Sequence, residues 1–377
     1  MSPRSYRRIA AFCVLALLCS QQSVFALLNI DGTRNQVFVF GNITFAYDSN
    51  IFSSGTDESG DYIYSASVGV ELKRRAGIIA VNARAVFDRQ EFQKNKTQSA
   101  WNPTFYLEFN KTTGRTTGAI TINAYRSSRA DSAVNLRTQT WNFPLGLNIK
   151  YPINDKFYVT SSSGYLKRSY TDGSGLLNYT DYSESIDLLY VFTSKTDVSV
   201  SYRIRVGQTT LDTTTDQALM FGLVNQIIPK LNGAVRLGFQ RRTVDKTGGS
   251  FNQITASTDV TWIVTRKLNI QGVVSRDFST TAVGGSVDSL SAQLRAAYDF
   301  SRRYQANGGL GYGRNRFLDG TTQGRRDEFF SWDVGVTLNW SEHLRASFSY
   351  NYLHNWSTLS YSDFERSGYS LDISSRY

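Results

Sequence analysis

Phe330-Ser331-Trp332-Asp333-Val334-Gly335-Val336-Thr337-Leu338-Asn339-Trp340 decides the fold. Every second residue is apolar, with aromatics towards both ends and aliphatics between them, while Ser, Asp, Gly, Thr and Asn fill the alternate positions. A period of two puts successive side chains on opposite faces of a strand. One face therefore meets an apolar surrounding and the other meets water. Soluble sandwiches also alternate, but their strands peak near five or six residues, whereas about ten are needed to cross a bilayer at a tilt. Aromatic ends flanking an aliphatic middle match the girdles and apolar band of a lipid-facing strand.

The same reading extends outward from this segment. Trp141 to Tyr151, Val198 to Val206 and Leu290 to Phe300 alternate in the same way, and the pattern runs from residue 36 to the end. Eighteen strands are expected. Short turns, such as Arg74–Gly77, Pro229–Asn232 and Ser341–His343, alternate with longer loops, such as Asp48–Gly60 and Trp356–Glu365. The expected fold is thus all-β: a transmembrane, antiparallel, up-and-down barrel with both termini periplasmic. The segment 214–228 is ambiguous, because Leu219, Phe221 and Leu223 compete with Ala218, Met220 and Val224 for the outer face.

Composition agrees. Aromatics make up 14% of the 377 residues, and there are 29 Gly but only 5 Pro. Mean hydropathy is −0.32, and no stretch after residue 26 approaches the roughly 18 apolar residues of a spanning helix. Residues 1–26 read as a signal peptide: basic Arg4, Arg7 and Arg8, an apolar core from Ile9 to Leu18, and Val24-Phe25-Ala26 with cleavage after Ala26. Its loss lowers the net charge from +10 to +7, since it removes three arginines and no acids. It also removes Cys13 and Cys19, leaving no disulfide or thiolate metal site. Residues 27–35 are then a short periplasmic segment and 36–377 the barrel.

A barrel of 16 to 18 strands is too wide for side chains to fill and leaves an aqueous channel. With about nine residues before the first strand and no loop beyond roughly thirteen, neither a plug domain nor a long constriction loop is expected, and the pore reads as relatively unobstructed, or as constricted by its own inward side chains and shallow loops. Parity places Arg84, Arg203, Arg205, Arg236, Arg295 and Arg345 inside. It also places Glu108, Asp187, Asp259, Asp299, Asp333 and Asp372 there, so the lining is balanced in sign. Glu71 and Arg376 share that parity. Much of the basic excess sits in the short turns, as expected of a rim near anionic headgroups, and nucleic-acid binding is not indicated.

Asp48, Asp57, Glu58 and Asp61 could bind the divalent cations that bridge lipopolysaccharide phosphates, although a solvated acidic loop explains them as well. The expected surroundings are outer-membrane lipid, lipopolysaccharide and the barrel assembly machinery, whose address is a final strand closed by an aromatic residue: Tyr369, Leu371, Ile373 and Tyr377 share one face. No catalytic, cofactor or metal residue is assigned. The two histidines, His343 and His354, have no convincing partners, and Gly308 to Gly313 lacks the following helix that a phosphate loop needs.

Tyr47-Asp48-Ser49-Asn50-Ile51-Phe52, at the end of the first strand, resembles the opening motif of the putative outer-membrane β-barrel porin 2 family. That resemblance implies a porin-like barrel over the whole mature chain, and in some members an association with polysaccharide-export components. It carries no functional residues over. The expected function is passive passage of hydrophilic solutes, or polysaccharide export. The competing expectations are a structural barrel whose loops bind lipopolysaccharide or partners, and, behind it, a barrel hydrolase.

Overall fold

A computed structural model describes residues 28–30, 35–131, 134–171, 175–246 and 248–377. The expected signal peptide and its cleavage point at Ala26 lie outside these residues.

The strands are Asn35–Asp48 (β1), Asp61–Ala76 (β2), Ile79–Phe92 (β3), Ala100–Trp101 continued by Thr104–Lys111 (β4), Thr117–Asp131 (β5) and Leu136–Pro152 (β6). They continue with Phe157–Tyr170 (β7), Tyr179–Val191 (β8), Thr196–Thr209 (β9), Thr213–Ile228 (β10), Leu231–Val244 (β11) and Gly249–Ile263 (β12). Leu268–Thr280 (β13), Ser286–Asp299 (β14), Tyr304–Phe317 (β15), Arg326–Asn339 (β16), Leu344–Ser357 (β17) and Phe364–Arg376 (β18) complete the wall. Each pairs antiparallel with the next, and β18 returns to β1 in the register Phe40↔Arg376 to Asp48↔Gly368. The result is a closed 18-stranded barrel, the number expected from the alternation. A short piece, Leu28–Ile30, pairs with the start of β1.

The outer wall is apolar because its strands contribute every second residue to it. Val68 is 55% exposed, Leu237 56% and Phe239 73%. A band of this size is stable only against lipid. Cross-strand aromatic pairs rim the band, including Phe45–Tyr64 (6.0 Å) and Tyr47–Tyr369 across the closing seam (5.4 Å) towards one end, and Phe157–Tyr190 (5.0 Å) towards the other. On β10 the ambiguity resolves: Leu219, Phe221 and Leu223 face outward, while Ala218 and Met220 are buried inside.

Turns of two to five residues close one end, the two tightest being Pro229-Lys230 and Gly77-Ile78, with Gly77 at φ +62°. That positive φ is open to glycine without steric cost. The opposite end, called here the long-loop end, carries the longest connections, such as 49–60, 318–325 and 358–363, beside short ones such as 210–212.

Candidate functional site

The charged residues that parity assigns to the inner face are mostly partnered and do not form a ring of free ions. Asp187 is paired with Arg236 (3.2 Å), and Arg203 and Arg205 both reach Asp277 (3.0 and 3.2 Å). Asp259 takes a hydrogen bond from Gln271 (3.0 Å), Asp299 from Gln305 (2.9 Å) and Asp372 from Thr44 (2.6 Å). Tyr106 donates to Glu108 (2.9 Å), and Arg345 donates to Asn339 (2.9 Å). The carboxylate of Asp333 lies over Gly309, where a Cβ would come within 2.4 Å of it. Arg84 stacks on Phe40, 4.4 Å from the ring centre. Arg295 makes no ion pair among the described residues.

The Arg203–Asp277 and Arg205–Asp277 contacts are informative because β9 and β13 lie four strands apart, about 19 Å along the wall at the usual strand spacing. They can meet only across the interior. Pairing between β12 and β13 stops at Ala256↔Arg276, whereas β11–β12 pairing continues to Val244↔Gly249 and β13–β14 pairing to Thr280↔Ser286. The β13–β14 hairpin therefore peels away from β12 at the long-loop end and bends into the barrel.

Its sequence explains why. On its nominally lipid-facing side the aliphatic run gives way to Arg276 and Asp288, which pair with each other at 3.0 Å. Hydrocarbon would leave these charges unsolvated, at a cost of several kcal/mol. Turned inward, the same face packs on the inner side of β10 to β12. Arg242 donates to Asp216 (2.7 and 2.8 Å) and to the Ser279 carbonyl (2.8 Å), and its guanidinium lies 5.2 Å from the Phe278 ring centre. Gln240 donates to Asp277 (2.7 Å), and Arg205 to Asp216 (2.5 Å) and to the Phe278 carbonyl (2.5 Å). Arg242 and Asp216 are 1% and 2% exposed, so this pair is fully desolvated.

A second hairpin does the same on the opposite side of the sequence. β5 pairs with β4 only as far as Thr104↔Tyr125, while its continuation to Asp131 pairs with β6 alone. Arg137 has the parity of the lipid-facing Trp141 and Phe143. Yet it stacks on inward Phe92 (4.6 Å) and donates to Gln90 (3.2 Å). At the tip, Asn135 donates to the Ser53 carbonyl (2.6 Å) and accepts from the Ser362 hydroxyl (2.5 Å), so that it touches the loops flanking β1 and β18.

The motif after β1 prepares that landing site. Asp48 pairs with Arg366 (2.6 Å) and accepts the Asn50 N–H (3.0 Å). Asn50 donates to the Ser54 carbonyl (2.8 Å) and accepts the Ser54 N–H (3.1 Å). Ile51, fully buried, packs on Ile63 and Phe92. The first loop is thus folded down into the mouth.

Of the two expected states of the pore, the geometry favours the one narrowed from within, since the β5–β6 and β13–β14 strand ends and the first loop all turn inward. One expectation is corrected. The acidic loop is not a free cluster, since Asp48 is taken by Arg366, and buried Asp61 accepts the Lys94 and Asn95 N–H groups (2.9 and 2.7 Å). Only Asp57 and Glu58 remain exposed.

His354 faces Glu365 (3.4 Å) and Asp363 (3.7 Å) and stacks on Trp356 (4.2 Å), with no serine hydroxyl bonded to it. The Gly308–Gly313 run lies on β15, and at Gly313 a Cβ would strike the Phe329 ring at 2.1 Å, so this glycine makes room for a neighbouring strand. No cluster of potential metal ligands occurs among the described residues.

Similar barrels exist among solved structures. Pseudomonas aeruginosa OpdK, determined with vanillate, superposes with a TM-score of 0.52 at 12% identity, covering 90% of this chain and 99% of that one. P. aeruginosa OccK5 (OpdH) gives 0.51 at 11%, covering 91% and 98%. At such identities the likeness shows the fold alone, that of outer-membrane porin barrels. No curated protein matches in sequence. The family described as Putative beta-barrel porin 2, which the Tyr47–Phe52 motif resembles, matches residues 212–377, the segment that builds β10 to β18.

Proposed function

We propose that this protein is an outer-membrane channel for passive passage of small hydrophilic solutes, narrowed at its long-loop end by the β5–β6 and β13–β14 hairpin tips. The observation that carries the reading is the closed 18-stranded wall, apolar outside and charged inside, with a constriction made of satisfied ion pairs. A barrel of this width holds an aqueous lumen, and the infolded tips set its bore. The long-loop end would face lipopolysaccharide, with Asp57 and Glu58 available to it, and both termini would lie in the periplasm.

The narrowed mouth favours small solutes over a polymer. Polysaccharide export would require both tips to move aside together, against the buried Arg242–Asp216 contact. Planar-bilayer recordings of the refolded mature protein should show stepwise conductance. A folded but silent barrel would sink the channel reading and favour a structural one. Adding linear oligosaccharides to the same recordings tests the polymer alternative, which requires transient block that lengthens with chain length.

A further inference from the structure

At the short-turn end the inner wall forms a second feature, a cavity of about 1030 Å³ between β1–β3 and β16–β18. Five arginines line it: Arg84, Arg302, Arg303, Arg345 and Arg376. Against them stand two carboxylates, Glu71 and Glu342, and Glu71 is already engaged by Arg376 (2.6 Å). Asp372, farther along β18, is held by Thr44 and Ser370. Arg84, Arg302, Arg303 and Arg345 make no ion pair among the described residues. This contrasts with the surroundings of the β13–β14 tip, where Arg203, Arg205, Arg242 and Arg276 are each paired with an aspartate.

Two of these guanidinium groups are propped on aromatic rings that point into the lumen, a costly place for phenylalanine. Arg84 lies 4.4 Å from the centre of Phe40, and Arg376 lies 4.3 Å from that of Phe38. Phe40 is itself seated on Gly69, where a Cβ would come within 2.3 Å of the ring. The rings therefore serve as platforms. A guanidinium stacked on its face keeps its N–H edge free and oriented, which suits two-point binding of a carboxylate or phosphate.

We propose that this vestibule is a binding site for solutes bearing phosphate or carboxylate groups, with Arg84 on its Phe40 platform as the principal contact and Arg345 beside it. This deepens the channel reading by naming a solute class, but its test does not depend on conductance.

The folded protein in detergent micelles is titrated calorimetrically at low salt with inorganic pyrophosphate and, separately, with citrate. Binding of either is expected, and the stronger of the two identifies which oxyanion the site prefers. Arg84→Gln should weaken it about ten-fold, the loss of one charged hydrogen-bonding pair. Phe40→Leu should weaken it with the charge retained, and Arg84→Lys should restore only part. Arg295→Gln, on the same inner face but outside the cavity, should leave it unchanged. Heat-dependent gel mobility checks that each variant is folded. Absence of binding overturns the proposal, and so does equal weakening by Arg295→Gln, which would mean a diffuse lumenal potential in place of a site. Binding without conductance would count against the channel alone.

Discussion

At the scale of single residues, Asp277 is the keystone of the constriction. It accepts from Arg203, Arg205, Gln240 and its own neighbour's Phe278 N–H, at 2.7 to 3.2 Å. Asp277→Asn keeps the shape but removes the charge that three strands converge on. Each hydrogen bond to a charged group is worth about 1.5–3 kcal/mol, so the tip's hold weakens by a few kcal/mol while the wall's ladder stays whole. The expected outcome is larger or flickering single-channel conductance with unchanged thermal stability of the barrel, and conductance identical to wild type would show that the tip is not the narrowest point. Asn50 is the counterpart on the other side. Asn50→Ala leaves the Ser54 carbonyl and N–H without their partner at a buried position, a cost of about 1–3 kcal/mol. Limited proteolysis between Ile51 and Gly60 should then accelerate, with the barrel itself resistant.

At the scale of elements, the two infolded hairpins share one construction. In each, pairing with the preceding strand stops early, and charged residues occupy positions whose parity is lipid-facing: Arg137 in β6, Arg276 and Asp288 in β13 and β14. Replacing 278–287 by a short turn should abolish the Ser279 and Phe278 contacts and raise conductance, without changing the apolar band. Exclusion of neutral polymers of graded size measures the bore, and an unchanged cut-off would refute the hairpin's role. What the sequence conveys at this scale is uneven, for physical reasons. Strand number and the inner and outer faces were legible, because a period of two leaves a direct imprint on residue order. On β10 that imprint fails, since Ala218 and Met220 are apolar residues buried on the inner face. The infolding was missed for a related reason. A strand end that departs from the wall keeps its alternation, and only the chemistry on the wrong face betrays it. Arg276 and Asp288 carried that signal, while the arginines that the adjacent Asp277 meets, Arg203 and Arg205, lie 74 and 72 residues away in the chain and could not be read from spacing. The short-turn vestibule was half visible: Arg84 and Arg345 were assigned to the lumen, but the supporting rings Phe38 and Phe40 have inward parity that composition gives no reason to single out.

At the scale of the whole molecule, everything depends on closure. The seam between β18 and β1 joins residues more than 300 positions apart through nine register pairs, from Phe40↔Arg376 to Asp48↔Gly368. Val39 and Tyr377 extend it with reciprocal backbone bonds of 2.9 and 2.8 Å, and the Tyr377 ring stacks on His343 at 5.4 Å. A barrel has no sheet edge only while this seam is made, and in a bilayer each open backbone group costs several kcal/mol, since no water replaces the lost partner. The seam also has to form late, because its two strands are the first and last of the wall and closing so long a loop carries the largest entropy cost of any pairing in the fold. Truncation after Ser367 removes all nine seam partners in β18 together with eight of the twelve β17–β18 register pairs, and leaves the pairings from β1 to β17 intact. The truncated chain should therefore collect β-structure in detergent, yet never show the compact, heat-sensitive gel mobility or protease resistance of the closed form. Glu58→Ala, on the exposed part of the first loop, should leave both unchanged. If the truncated chain folded to a compact species, closure through β17 and β1 would have to be feasible, and the wall would be less strictly set at eighteen strands than its register indicates.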